Sequence, residues 1–283
     1  MRALVAVAIA LVAVVPGCSR DKAHAPAIAT RVVSLGPATT EALFAVGAGS
    51  SVVGRSQYCD WPPEAAKLPA VGGIEPDIEA ILELRPDLVV GPSGGWSAKL
   101  TQTLDAHDIA SWFPGEVRTL LEVDGLVSTI GARTGHADGA ARVVANIDAS
   151  ERAVDRAVEH APRPRTLLVV GIMPVVAAGP GSFADDMLQR AGAANVLSDG
   201  GPWPVVGFER LAEIDPDVIV DASVAESGGV TRITPQASGW SSLRAVKSGH
   251  VVAVADERVL RPGPRVAEGL AVLAHALHPE AVP

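Results

Sequence analysis

The residues best suited to hold a ligand are aromatic rings in loops rich in glycine, proline and serine. The chain has only 5 tryptophans and 1 tyrosine in 283 residues, and Tyr58, Trp61, Trp96, Trp203 and Trp240 all lie in such loops. A buried ring removes about 150–250 Å² from water, at about 25 cal/mol per Å². Several rings that face one cleft could therefore hold a large flat ligand without charge pairing.

The same rings could instead close loops over a core. For Trp61, which precedes Pro62 and Pro63, the sequence favours neither role. For Tyr58 and Trp203 it favours a ligand contact.

The sequence gives little support to an enzyme, because several common catalytic and metal-binding motifs are missing from it. The first strand is followed by SLGPATTE and not by a glycine-rich dinucleotide turn, no P-loop occurs, and Cys59 has no histidine near it. His275 and His278 have helical spacing, but no third ligand lies close in sequence. We predict no enzyme activity, no resident cofactor and no metal site, with a Rossmann-like enzyme as a remote alternative.

One sequence pattern occurs twice. Residues 79–90, EAILELRPDLVV, align without a gap with residues 209–220, ERLAEIDPDVIV. Each copy has the pattern of a helix end, a Pro-Asp corner and a buried strand. The repeat predicts two similar lobes, with Glu79 and Glu209 in equivalent places.

The surrounding elements alternate between strands and helices, which predicts parallel sheets covered by helices on both faces. Residues 134–161 are different, because apolar residues recur there at helical spacing over roughly 40 Å. We predict an α/β protein of two Rossmann-like lobes, 31–133 and 162–283, joined by one long helix, 134–161. The loops after the strand ends should line a ligand cleft between the lobes.

The N-terminus has the pattern of an export signal. Residues 1–17 contain one arginine followed by a short apolar run and end at Cys18, as in a lipoprotein signal, and residues 18–30 are typical of a tether. We expect a protein of the periplasm or the cell-envelope exterior, anchored in the membrane by lipid on Cys18. The alternative is a secreted protein whose plain signal is cut nearby.

Charge and cysteine content narrow the possible partners. The net charge is −9 and no lysine or arginine run occurs, which argues against nucleic-acid binding. If Cys18 carries lipid, Cys59 has no cysteine to pair with, so the fold must do without a disulfide.

Seven segments in order carry a family resemblance that covers residues 31–279. The chain resembles periplasmic cobalamin-binding proteins of ABC importers, part of a wider group that binds haem or iron siderophores. The segments are RVVSLGPATTEALFAVG, SQYCDWPPEA, VGG, DIEAILELRPDLVV, GGPWP, FERLAEIDPDVIV and RPGPR. The resemblance implies a monomer that captures cobalamin or a related corrinoid between its lobes and delivers it to a permease and its ATPase.

The resemblance also implies roles for individual residues. Tyr58 and Trp203 would flank the corrin ring, and Asp256 and Arg265 would bind its amide periphery, with Arg261 as a rival for Arg265. Trp96 lies near the place of a pocket tryptophan in the family. Another family tryptophan, expected near residues 72–73, is missing.

Glu79 and Glu209 match the two acids that dock into arginines of the permease in this family. Their other possible role is local, because an acid in the first turn of a helix is favoured by about 0.3–1 kcal/mol.

Haem and ferric siderophores remain as rival ligands. Haem would need an axial ligand, which Tyr58 or Cys59 could supply. Anionic siderophores should need several cleft arginines, and the N-terminal lobe offers only Arg55 in its cleft loops, whereas the second lobe has four. They are Arg232, Arg258, Arg261 and Arg265. A bulky and nearly neutral corrinoid suits this set of loops better.

Overall fold

A computed structural model describes residues 28–224 and 229–282. Its strands are β1 (Val32–Ser34), β2 (Val52–Arg55), β3 (Leu88–Val90), β4 (Ala110–Trp112), β5 (Arg165–Ile172), β6 (Val175–Ala177), β7 (Ala194–Asn195), β8 (Val218–Asp221) and β9 (Val251–Ala253). Its α-helices are α1 (Pro37–Ala45), α2 (Ile78–Glu83), α3 (Ser97–Ala106), α4 (Leu120–Thr134), α5 (Ala137–Val158), α6 (Phe183–Arg190), α7 (Phe208–Ile214), α8 (Arg244–Lys247) and α9 (Val266–Leu277). The predicted signal, residues 1–17, and Cys18 lie outside the described residues.

Two separate sheets precede and follow α5, as the sequence predicts. The first has the order β2-β1-β3-β4 and is parallel throughout. The second has the order β6-β5-β8-β9, and β7 also pairs with β5. Neighbouring residues of one strand face different cores: Val32 of β1 packs with the helices between the lobes, whereas Val33 packs with α2 and α3. Burial on both faces explains why these strands are continuously apolar.

The second sheet departs from the predicted parallel arrangement at one edge. β6 runs antiparallel to β5, because residues 173–174 turn the chain back directly. A parallel neighbour would need a longer crossover, and two residues cannot provide one. The pattern of the sequence did not reveal β6, which has only three residues.

The predicted long helix is present but shorter than expected. α5 has 22 residues, about 33 Å. Thr134 belongs to α4 instead, because Gly135 adopts φ 75° and ends that helix. A left-handed residue at this position is a common helix terminator.

Both ends of α5 are held by close contacts. Near its start, a side chain at Gly139 would lie 1.9 Å from the carbonyl oxygen of Val46, so only glycine allows this approach to α1. Near its end, Val158 packs against Gly192 of the second lobe. One apolar core also continues from the first lobe through α4 and α5 to α6 and α9. The helix therefore braces both lobes.

The predicted tether extends into the fold at its end. Ala29 is buried, and its amide donates to the carbonyl of Arg133 at 2.8 Å. The Thr30 amide donates to the carboxylate of Asp87, also at 2.8 Å. Residues 29–30 therefore belong to the first lobe.

Candidate ligand cleft

A cavity of about 730 Å³ lies between the two lobes, a size typical of ligand sites. Its lining comes from loops that follow the carboxyl ends of β1, β3 and β4 in one lobe and of β8 and β9 in the other. This is where parallel sheets bind ligands. Most of its wall is apolar. The apolar lining residues include Pro37, Pro92, Pro114, Val117, Leu126, Phe183, Trp203 and Leu260.

The charged groups of the lining are mostly acidic. Among the described lining residues they are three carboxylates, Glu116, Asp256 and Glu257, and one guanidinium, Arg261. Asp256 is already paired with Arg258, and this hydrogen bond lowers the pKa of Asp256. The described cavity wall therefore offers little free positive charge to pair with an anionic ligand.

Trp203 lines the cavity and links the two lobes by a hydrogen bond. Its indole Nε1 donates to Glu116 Oε1 at 3.3 Å, which joins a loop of the second lobe to the loop after β4. Glu116 also pairs with Arg118 at 3.2 Å. Trp203 keeps 40% of its surface exposed, so its ring is available to a ligand in the cavity.

A buried carboxylate joins the lobes beside the cavity. Glu41 of α1 has a side chain only 2% exposed, and it accepts hydrogen bonds from Arg261 at 2.8 Å and from Arg265 at 2.6 and 2.8 Å. Glu257 accepts from the same two arginines at 2.7 and 3.4 Å. Hydrogen bonding to Glu41 raises the pKa of Arg265. We call these four residues the Glu41 cluster.

Arg265 does not line the main cavity, contrary to its predicted ligand role. Its guanidinium is held by Glu41 and covered by the Trp61 ring, whose centroid lies 4.6 Å away. Both face a second, smaller cavity of about 430 Å³ beside α5. Arg261, the rival position, is the arginine that lines the main cavity.

Cys59 and Trp96 also lie away from the cavity lining. Cys59 has no exposed surface, its thiol faces the carbonyl of Ser34 at 4.0 Å, and burial raises its pKa. Trp96 packs edge-on against Phe113 with ring centroids 5.4 Å apart. Both side chains pack within the first lobe, and neither is among the described residues that line the cavity.

Tyr58 occupies an intermediate position. It is 49% exposed and lies outside the cavity lining, next to Gly73. Its loop does reach the second lobe, because Asp60 lies 3.7 Å from Arg261. Of the predicted contacts, the structure therefore brings Trp203 and Asp256 to the cavity, whereas Tyr58 lies outside the described lining.

The loop after β3, which lines the cavity through Pro92 and Ser93, carries a sequence pattern typical of serine hydrolases. Residues 91–95, GPSGG, match the GxSxG pattern between β3 and α3. However, the Ser93 hydroxyl lies 2.8 and 2.7 Å from the carbonyl oxygens of Phe113 and Pro114, and no histidine is found among the lining residues that the structure describes. Ser93 therefore lacks the adjacent base that a serine nucleophile needs.

The two histidines with helical spacing, His275 and His278, lie at the end of α9, close to the last described residues of the chain. His275 Nδ1 lies 2.7 Å from the carbonyl of Val282, and His278 is buried. Within residues 28–224 and 229–282, no three His, Cys, Asp or Glu side chains are grouped as a metal site requires. In the same part of the chain, no helix has the length and apolarity needed to cross a membrane.

The two repeated glutamates are exposed in the first turns of α2 and α7. These helices precede β3 and β8, which run parallel to their neighbours. A helix that leads into a parallel strand begins at the carboxyl edge of its sheet, because it runs opposite to the strands. Glu79 and Glu209 therefore lie on the edges that flank the cleft.

Known proteins resemble this chain in sequence along most of its length. A family model described as periplasmic binding protein matches residues 32–257. The vitamin B12-binding protein of Salmonella paratyphi A is 30% identical over 255 residues, covering 88% of this chain and 90% of that protein. An uncharacterised ABC transporter substrate-binding lipoprotein of Bacillus subtilis is 27% identical over 257 residues, covering 88% of this chain and 80% of that protein.

Solved structures also resemble the fold of this chain. The structure of the periplasmic haem-binding protein of Roseiflexus sp. RS-1 superposes on this chain with a TM-score of 0.77 at 25% sequence identity. The match covers 89% of this chain and 98% of the Roseiflexus chain. Fold, cleft and sequence therefore agree, and the chain belongs to the periplasmic binding protein family.

Proposed function

We propose that the protein captures cobalamin or a related corrinoid in the cleft and delivers it to an ABC permease and its ATPase. The main observation is the character of the cavity, which is large, mostly apolar and without an unpaired cation among its described lining residues. A corrinoid is broad and carries neutral amides at its edge. Trp203 can stack on such a ring, and Asp256 can accept hydrogen bonds from the amides.

Haem and ferric siderophores fit this wall less well. Haem carries two carboxylates that would meet Glu116 and Glu257, while Arg261 already donates to Glu41 and Glu257. Tyr58 and Cys59 were the candidate axial ligands, and neither lines the cavity. A buried charge without a partner is strongly disfavoured, so the neutral ligand is the better match.

The route to the permease follows from placement and relationship. The Bacillus subtilis relative is named as an ABC transporter substrate-binding lipoprotein, and we extend this role to the present chain. Glu79 and Glu209 would dock on permease arginines, one from each lobe, and thereby align the cleft with the transport pathway. Lipid on Cys18 would hold the protein at the outer face of the cytoplasmic membrane or elsewhere in the cell envelope.

A titration of purified residues 19–283 with cyanocobalamin, hemin and a ferric siderophore tests the ligand. We expect tight binding of cyanocobalamin with quenching of tryptophan fluorescence, because the corrin would lie against Trp203. Calorimetry gives the affinities, and the Trp203→Ala variant should bind about tenfold more weakly or worse, since stacking contributes roughly 0.5–1.5 kcal/mol beyond the area that is also lost.

Binding of hemin without binding of cyanocobalamin would overturn the proposal. A tyrosine-type charge-transfer band in the hemin complex would then identify Tyr58 as the axial ligand.

A further inference from the structure

We propose that Glu41 determines ligand specificity, by neutralising the arginines at the cleft wall so that anionic chelates find no free cation there. This inference rests on the proposed function, since it names the residue that favours a corrinoid over haem. Glu41 belongs to α1, 220 positions before Arg261, and the pattern of the sequence gives it no role beyond that helix.

The charges of the Glu41 cluster balance. Glu41 and Glu257 face Arg261 and Arg265, two carboxylates against two guanidinium groups. Arg261 uses Nη1 for Glu41 and Nη2 for Glu257, so both ends of its planar group are already occupied. The positive charge of Arg261, the arginine among the described lining residues, is thus already compensated by two carboxylates.

Arg265 holds the cluster from the side away from the cavity. It grips Glu41 through Nε and Nη2 and is stacked against Trp61. This grip fixes the carboxylate in the position where it can also accept from Arg261. Glu41 is therefore a positioning residue for the cavity wall as well as a contact between the lobes.

Loss of the Glu41 charge should reverse the selectivity. Arginine stays protonated in proteins, so a Glu41→Gln variant would keep both guanidinium groups, with Glu257 as the remaining acid of the cluster and the exposed Asp60 3.7 Å from Arg261. The Glu41 cluster would then carry one net positive charge beside the cavity, and Asp60, which is exposed, would compensate it only in part. A propionate of haem could then pair with Arg261, and hydrogen bonds to charged groups are strong enough to change affinity about tenfold or more.

The experiment compares Glu41→Gln with Glu268→Gln, and measures the affinities of each variant for hemin and cyanocobalamin. The Glu268 carboxylate pairs with Arg258, and Glu268 meets the Glu41 cluster only through its backbone amide, which donates to the carbonyl of Arg265 and is kept in the variant, so Glu268→Gln is a matched loss of one carboxylate nearby. We expect Glu41→Gln to raise hemin affinity relative to cyanocobalamin by about tenfold or more, and Glu268→Gln to leave the ratio unchanged. The hemin Soret band provides an independent signal.

A second variant guards against misfolding. Glu257 is 46% exposed, so Glu257→Gln should fold, and it should shift the ratio in the same direction. The gain in hemin affinity should disappear in Glu41→Gln/Arg261→Met, because the liberated cation is absent. An unchanged ratio in both single variants, including a parallel loss of both ligands, would refute the specificity role.

The two proposals fail in different ways. Wild-type protein that binds hemin and not cyanocobalamin contradicts the proposed function itself. Wild-type protein that binds cyanocobalamin, together with an unchanged ratio in the variants, contradicts only the role of Glu41.

Discussion

At the scale of single residues, Asp124 in α4 is a carboxylate whose surroundings disfavour its charge. Its Oδ1 is shielded from solvent and has no hydrogen-bond partner among the described residues. Burial, followed by repulsion from Asp148, raises its pKa, while Arg190 acts in the opposite direction. The neighbouring Glu151 has a raised pKa for the same main reason, although it pairs with Arg190 at 3.1 Å.

We expect Asp124→Asn to raise the melting temperature at pH 7. Because the folded-state pKa is raised, the folded chain binds a proton more readily than the unfolded chain, so the ionised group costs stability at neutral pH. The gain should be less than about 1 kcal/mol, since the site is partly solvated. It should shrink as the pH falls through the raised pKa and vanish below the ordinary value of 3.8.

Thermal melts between pH 3 and pH 8 measure this effect. Asp138→Asn is the control, because Asp138 lies exposed in the first turn of α5, where its charge is favourable, and its loss should lower stability at pH 7. An Asp124→Asn variant that melts below wild type at pH 7 would contradict the prediction.

At the scale of elements, the repeated pattern has a structural basis that the sequence did not show. In the first copy, Arg31 donates to the carbonyls of Leu84 and Arg85 at 2.6 and 3.0 Å. In the second, Arg165 donates to the carbonyls of Ile214 and Asp215 at the same two distances. Each arginine therefore satisfies free carbonyls at the end of a short helix.

The Pro-Asp corner and the residue before it follow the same rule in both lobes. Arg85 and Asp215 adopt φ 47° and 44°, the left-handed conformation that ends a helix. Asp87 and Asp217 then accept the amides of Arg31 and Arg165 at 3.0 and 3.2 Å. The two copies are thus one capped helix-to-strand unit built twice.

Removal of either capping arginine should destabilise the protein. We expect Arg31→Met and Arg165→Met each to lower the free energy of unfolding by about 1–2 kcal/mol, because two charge-assisted hydrogen bonds are lost at each site. Urea denaturation measures the change. The control Arg152→Met removes only an exposed pair with Asp148 at 4.0 Å and should change stability by less than about 0.5 kcal/mol.

Equal stability of Arg31→Met and wild type would show that the carbonyls are satisfied by water. Corrinoid affinity should be retained in both arginine variants, because neither residue lines the cavity.

At the scale of the whole molecule, the lobes are coupled at several places. α5 packs on both lobes, the Glu41 cluster crosses beside the cavity, and the amide of Leu120 in α4 donates to Asp186 of α6 at 2.9 Å. An apolar core that continues between lobes opposes large hinge motion. The two cleft edges should therefore keep a nearly fixed separation, as docking at two points requires.

We expect the double variant Glu79→Ala/Glu209→Ala to bind cyanocobalamin normally and to fail in transport. Both glutamates are exposed and lie outside the cavity lining, so ligand affinity should be unaffected. Uptake of labelled cyanocobalamin, in cells whose own copy of the gene is deleted, measures delivery.

Glu83→Ala/Glu213→Ala provides the matched control for docking. These glutamates are also exposed repeat equivalents, but they lie at the opposite ends of the same two helices. Normal uptake by the first double variant would exclude its docking role.

The sequence by itself determined the alternation of strands and helices in both lobes, although it did not predict β6. Apolar residues at helical spacing placed a long helix between two α/β units, where α5 is observed. These features depend on interactions between residues close in the chain, which periodicity and turn residues report directly. The gap-free repeat also predicted that the second lobe would contain the same unit as the first.

Only the tertiary structure decided which side chains meet at the cleft. Glu41 and Arg265 are 224 positions apart, and their contact depends on how two lobes approach each other. The surface that Cys59 or Trp96 faces depends likewise on the packing of a loop against its lobe, which local sequence does not encode. Residue types could therefore indicate rings and arginines in loops near a cleft, whereas the fold placed Trp203 and Arg261 in the described cavity lining and paired Arg261 with two carboxylates.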